Sequence, residues 1–257
     1  MEIKRVFAAY FSPTGGSERY VREIAQRLDP DYQAIDLTTP AGRGVERRFT
    51  AQDLVIFGAP VYAGRLPSVA GGLFTHLKGE GTPAVFTVSY GNRAFEDALL
   101  EEQDLCQANG FVGVAGSAWI APHTFSDRIA AGRPDQADLA RVDAFVNQLR
   151  RVLAAPQAPE LQLPGNHPYR STSPMPFHPQ AGEGCTRCGL CAKICPAGAI
   201  PKEDPRSTDP EVCIDCLACV KRCPAHARGV QGPGLEAVRQ KLEGMLLAQR
   251  QEPQWFF

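Results

Sequence analysis

A doubly wound α/β domain on a five-stranded parallel sheet, followed by a small α+β domain, is the architecture this sequence predicts. Three observations carry it. Residues 1–154 alternate short apolar runs with stretches of helical period, the pattern of βα units around a parallel sheet. Residues 184–230 hold eight of the nine cysteines in two matching runs. Between them Pro156, Pro159, Pro164, Pro168, Pro174, Pro176 and Pro179 crowd the stretch 155–183, which reads as a semi-extended linker. Residues 231–257 form a fourth segment, a helix with an aromatic tail.

The elements follow in order. Ile3 to Phe11 is largely apolar, a buried strand. Gly16 to Leu28 carries Tyr20, Val21, Ile24, Ala25 and Leu28 at helical spacing. Tyr32 to Leu37 is a short second strand, and Asp53 to Phe57 a third that ends at Gly58. Pro67 to Leu77 reads as a helix despite Gly71 and Gly72. Ala84 to Ser89 is the fourth strand. Ala94 to Ala108 is a helix stopped by Asn109-Gly110, with Cys106 as a small buried apolar residue inside it. Phe111 to Ile120 is the fifth strand. A long loop, 121–133, precedes a helix from Gln136 to Leu153. Right-handed crossovers leave few topologies for five such strands, and the order 2-1-3-4-5 is expected. The linker offers Leu161, Leu163, Tyr169 and Phe177 as apolar points that lie against a domain. Gly234 to Leu247 is an amphipathic helix. The final Trp255-Phe256-Phe257 would be a sticky patch if exposed, so the tail is expected to dock on the first domain.

With 257 residues and 44% apolar content, the chain can form one large domain or two smaller ones with real cores. A net charge of -1 gives no reason to expect nucleic acid or an anionic membrane as partner. No stretch is long and apolar enough for a membrane span, and the first residues lack a signal peptide's pattern. Many cysteines without a secretory signal imply a reducing cytoplasm.

The cysteine runs are Cys185, Cys188, Cys191, Cys195 and Cys213, Cys216, Cys219, Cys223. Each reads C-x2-C-x2-C-x3-C-P, closed by Pro196 and Pro224, and they repeat with a period of 28 residues. Three thiolates at this spacing wrap one [4Fe–4S] cube, and the fourth ligand comes from the other run. The expected sets are Cys185, Cys188, Cys191 and Cys223, and Cys213, Cys216, Cys219 and Cys195. Zinc sites pair two hooks at longer separation, often with histidine, and disulfides between residues three apart would be strained. This stretch resembles two-cluster bacterial ferredoxins, with all eight ligand positions matching.

In a doubly wound sheet, ligands bind beyond the carboxyl ends of the strands. The loop after the first strand is Ser12-Pro13-Thr14-Gly15-Gly16-Ser17, running straight into a helix. Amide donors, glycines and hydroxyls there suit a phosphate, and the lysine of an ATP-binding loop is absent. An ordinary helix cap is the alternative. The pattern S-x-T-G-x-S resembles the phosphate loop of flavodoxins, which implies FMN. The loops after the third and fourth strands carry Pro60, Val61, Tyr62, Gly64 and Arg65, and Ser89, Tyr90, Gly91 and Asn92. By the same resemblance Tyr62 and Tyr90 flank the flavin ring, and Gly64, Gly91 and Asn92 contact it; capping the sheet is the alternative for either tyrosine. Arg65 either stabilises a reduced, anionic flavin or makes an ion pair. His123 either approaches the flavin or the cysteine domain, or simply packs.

Nearly the whole chain resembles flavodoxin–ferredoxin fusion proteins of anaerobes, through SPTGGS, PVYAGRLP, GRPDQADL, PGNHPYR and both cysteine runs. Leu217 departs from the pattern, standing where Gly189 stands in the first run. The resemblance implies a flavodoxin-like first domain, FMN, two clusters and redox partner proteins. No residue reads as a dedicated acid or base, and no nicotinamide fingerprint appears, so an electron carrier is expected. The alternatives are an FMN-dependent reductase of a quinone or nitroaromatic, or a first domain that binds no flavin and only docks a partner.

Overall fold

The computed structural model describes residues 2–156 and 160–257; the expectations for Met1 and for Pro159 of the linker lie outside them. The first domain runs β1 (Arg5–Tyr10), α1 (Gly16–Leu28), β2 (Gln33–Asp36), α2 (Pro40–Arg43), β3 (Arg47–Phe49), β4 (Asp53–Pro60), β5 (Leu77–Gly79), β6 (Thr82–Tyr90), α3 (Ala98–Gln107), β7 (Phe111–Ile120) and α4 (Gln136–Ala154). The second holds β8 (Pro179–Ala181), α5 (Leu190–Ile194), α6 (Ala218–Lys221) and β9 (Arg228–Val230), and α7 (Gly234–Leu246) and β10 (Gln254–Phe256) follow.

The main sheet is ordered β2-β1-β4-β6-β7-β10. Its first five strands are parallel, so counted along the chain they stand 2-1-3-4-5. The central strands are apolar on both faces, as a sheet covered on both sides requires. One face packs Tyr20, Val21 and Ile24 of α1 against Val142, Phe145 and Leu149 of α4. The other gathers Phe57, Phe86, Phe111 and Leu99 with Phe49 and Phe74. β3 and β5 form a separate small parallel ribbon whose Phe49 and Leu77 join that second apolar group.

The tail does not merely dock. β10 adds a sixth strand antiparallel to β7, with Trp255 opposite Ser117. Trp255 stacks on Trp119 at 6.2 Å and Phe257 packs on Phe145 at 5.4 Å. The edge amides of β7 are thereby paired, and three aromatics are taken from water.

Two helical expectations are corrected. Pro67–Leu77 is not a helix: Gly71 and Gly72 stand at φ 79° and 71°, and two successive left-handed residues cannot sit in a right-handed helix. Leu73 and Phe74 of this stretch are buried without a helix. The helix expected from Ala94 begins at Ala98, because Glu96 is at φ 46°.

The linker lies along the first domain. Leu161 and Leu163 fill the space left by Gly113 and Gly116 on β7, where an added Cβ would meet them at 2.9 and 2.4 Å. Asp97 accepts the amides of Asn166 and Arg170 at 3.0 and 2.7 Å. Loop 121–133 docks the C-terminal part: Ser126 and Arg128 donate to Glu243, Lys221 pairs with Asp127, and Phe125 packs edge-on to Phe177.

Candidate functional site

The duplication read from the cysteine spacing is visible in the backbone. Arg187 and Asp215, Gly189 and Leu217, and Gly198 and His226 are three pairs 28 residues apart, all with positive φ. Leu217 therefore adopts, at φ 53°, the left-handed geometry that Gly189 takes freely. The amides of Ala199 and Ala227 point at Cys195 Sγ and Cys223 Sγ, each at 3.3 Å.

The chain then folds so that the runs exchange their last members. One small cavity is lined by Cys185, Cys188, Cys191 and Cys223. Another is lined by Cys195, Cys213, Cys216 and Cys219. Burial pushes the Cys213 thiol up to about 12 and raises Cys216 and Cys219 as well. A thiol raised this way is a poor free nucleophile, whereas four cysteine sulfurs around one small cavity are the donor set of a [4Fe–4S] cube. Amide hydrogen bonds to sulfur, as at Cys195 and Cys223, are a recognised support for such ligands.

At the carboxyl edge of the main sheet lies a cavity of about 670 Å³, within the range of cofactor sites. Ser12, Pro13, Thr14, Gly16 and Ser17 line it, with Pro60, Val61, Tyr62, Arg65, Ser89, Tyr90 and Gly91. The 170–175 stretch of the linker, the 211–215 loop and Val238 and Leu242 of α7 close it from the other side. Cys213 lines both this cavity and the second thiol cavity.

The first loop offers what a phosphate needs. Ser12 Oγ accepts the Glu18 amide at 3.0 Å, which caps one free donor of α1. Among the described residues the amides of Thr14, Gly16 and Ser17 have no acceptor, and they stand where the helix dipole is positive. Gly16 allows the close fit, since a Cβ there would lie 2.9 Å from Ala121 Cβ. Ser17 Oγ and Ser89 Oγ meet at 2.7 Å, tying the first loop to the end of β6.

Residues 7–115 match the model of a flavodoxin domain, and residues 179–228 match that of a 4Fe-4S dicluster domain. The chain joins a flavodoxin domain to a 4Fe-4S dicluster domain. Such a fusion works in electron transfer, with flavin and iron–sulfur. It is similar in structure to the flavodoxin of Streptococcus pneumonia TIGR4, at 16% identity and TM-score 0.40, over 58% of this chain and 99% of that one. A flavodoxin from the domain Archaea is similar at 11% identity and TM-score 0.38, over 58% and 97%. No curated protein matches the chain. Among the described residues no helix is long and apolar enough to cross a membrane.

Several residues expected at the flavin of the fusion have other work. Asn92 is corrected: it does not line the cavity, and its buried side chain is fully engaged by the C-terminal segment. Nδ2 donates to Leu246 O and Gln249 O, and Oδ1 accepts from Gln251 N. Arg65 makes a two-pronged pair with Glu101 at 2.7 and 2.8 Å, donates to Arg170 O and covers the Tyr169 ring, the ion-pair alternative. Gly64 lies outside the lining, at φ 85° in a tight turn where Tyr62 and Arg65 exchange backbone hydrogen bonds. Gly15 also lies outside it, as the N-cap of α1. Tyr90 is buried against Phe95, so its ring is held mostly in the core.

Tyr62 spans two sites. It lines the large cavity, yet its hydroxyl is buried with no partner among the described residues. Burial raises its pKa well above the usual tyrosine value, and the Cys216 thiol adds to the effect. His123 lines the cavity as well, and a Cβ on Gly91 would strike its ring at 2.5 Å. Burial, then the charges of Lys221 and Arg93, lower its pKa to about 4. Its Nδ1 accepts the Phe125 amide at 3.1 Å, so the neutral ring carries its proton on Nε2. Sequence reasoning missed the far wall of the cavity and Arg43, which donates from α2 to Pro196 O at 2.8 Å. A four-residue helix has no periodicity that could have flagged it.

Proposed function

We propose that this fusion moves single electrons between two [4Fe–4S] clusters and one FMN, relaying them to or from redox partner proteins. Cys185, Cys188, Cys191 and Cys223 would hold the first cluster, and Cys195, Cys213, Cys216 and Cys219 the second. The free amides of Thr14, Gly16 and Ser17 would take the FMN phosphate, with Pro60, Val61, Tyr62, Ser89, Tyr90 and Gly91 around the ring. The working units on this reading are the flavin domain, 1–154, the linker, 155–183, the cluster domain, 184–230, and the clasp, 231–257. A reducing cytoplasm suits thiolate ligands of this kind.

One observation carries the reading: Cys213 belongs to the lining of both the second thiol cavity and the large cavity. A flavin exchanges electrons singly or in pairs, whereas a cluster carries one at a time. A ligand shared by the two walls leaves no intervening layer of protein between donor and acceptor. The clasp and the linker line the far side of the cavity.

A second reading is reduction of a small molecule such as a quinone or nitroaromatic at the flavin. His123 favours it, as a neutral donor on the cavity wall. Turnover with small acceptors against protein acceptors separates the two.

Anaerobic purification with metal, sulfide and flavin analysis tests the first reading. It should give about eight irons and about eight acid-labile sulfides per chain, with one FMN. Zinc without iron, FAD in place of FMN, or no flavin would reject it.

A further inference from the structure

Arg43 is a buried cation that the sites so described do not use. It is 6% exposed, at the end of α2. Its donors go only to carbonyl oxygens: Nη1 to Leu37 O and Thr38 O at 3.2 and 2.8 Å, and Nη2 to Pro196 O at 2.8 Å. Its guanidinium covers the Phe11 ring at 5.4 Å. Among the described residues no carboxylate pairs with it. A guanidinium keeps its proton in proteins, and a buried charge without a counter-charge is costly. Burial lowers its pKa, and the one group acting in the opposite sense is the Cys195 thiol. Pro196, which Arg43 grips, directly follows that cysteine, the thiol that the first run lends to the second set.

We propose that Arg43 is the counter-charge of the second cluster, supplied across the domain boundary by the flavin domain. The inference rests on the reading of Cys195, Cys213, Cys216 and Cys219 as that cluster's ligands. Four thiolates leave a [4Fe–4S] cluster anionic, and taking up an electron adds one more negative charge. A fixed cation beside it favours the reduced form and raises its reduction potential. The cluster domain's own cation, Arg228, reaches both ligand sets: its Nη1 lies 3.8 Å from Cys191 Sγ, and it also hydrogen-bonds the Cys219 thiol. Its counterpart 28 residues earlier is Ile200, so the duplication supplies no second one. Arg43 adds a cation from outside, on the Cys195 side of the second set. By reciprocity, the reduced cluster holds α2 and Pro196 together more strongly than the oxidised one. Arrival of an electron then tightens the docking of the two domains.

The test is a redox titration of the full chain, loaded with iron, sulfide and FMN and followed by EPR, for wild type, Arg43→Met and Arg43→Lys. In Arg43→Met the second cluster's one-electron equilibrium should move about tenfold toward the oxidised form, about 59 mV. The first cluster should not move, and Arg43→Lys should recover most of the shift. Unchanged potentials in Arg43→Met, with both clusters present, would overturn the inference while leaving the two-cluster reading intact. If Arg43→Met loses the second cluster, Arg43→Lys decides. Retention with lysine supports the charge, and equal loss reduces Arg43 to a carbonyl clamp and overturns it. Wild-type protein with iron for one cluster alone would instead overturn the underlying reading, and the inference with it.

Discussion

Asn92→Ala should free the C-terminal clasp. The side chain is 2% exposed and makes three hydrogen bonds to residues 246–251. Removing it leaves the Leu246 and Gln249 carbonyls and the Gln251 amide without that partner. At about 1 kcal/mol net for each bond, the loss is about 3 kcal/mol. Asn92 also sits at φ 61°, a region where alanine costs a further ~1–2 kcal/mol. Asn92→Gly keeps that backbone geometry and should lose only the hydrogen-bond part. Each 1.4 kcal/mol is a factor of ten, so hydrogen exchange at Gln251 and along β10 should speed up about a hundredfold in Asn92→Gly. It should be faster still in Asn92→Ala. Tail amides that exchange at wild-type rates in both variants would refute the clasp. So would stability within about 0.5 kcal/mol of wild type, the usual range for a neutral surface change.

Thr14→Asp should keep the fold, because an acid is favourable at a helix start, but repel a phosphate. Two charges about 4 Å apart at an effective dielectric of about 20 cost about 4 kcal/mol, so FMN affinity measured by fluorescence quenching should fall a hundredfold or more while iron content holds. Cys195→Ala should remove the second cluster's EPR signal and spare the first; loss of the first alone would reverse the ligand sets. His123 should titrate by NMR near pH 4, not near 6.5. Since the unfolded chain takes up that proton first, its contribution to stability is present above about pH 6.5 and is lost as pH falls toward 4. A midpoint near 6.5 would mean the imidazole is not held as described.

The parallel sheet was legible because its strands are continuous apolar runs, and α1 and α4 because each shows one clean apolar face. Pro67–Leu77 misled because an apolar period can be met by turns when glycines take positive φ, as Gly71 and Gly72 do. The cysteine spacing held its information locally, since each run wraps one cavity and lends one thiol to the next. The flavin side was only half legible. The Ser12–Ser17 loop is contiguous and lines the cavity, apart from Gly15. The opposite wall comes from 170–175, 211–215 and α7, brought there by tertiary packing that no local pattern encodes. Asn92 was misread for the same reason: its position after β6 suggested a ring contact, while its partners lie more than 150 residues away.

Injecting one electron per molecule by pulse radiolysis into the fully loaded, oxidised protein tests the shared wall at Cys213 most directly. Cluster absorbance should change first, and flavin absorbance should follow at a rate independent of protein concentration, because the transfer is internal. Flavin reduction whose rate rises in proportion to protein concentration would mean that electrons pass between molecules, and the junction at Cys213 would not be the route.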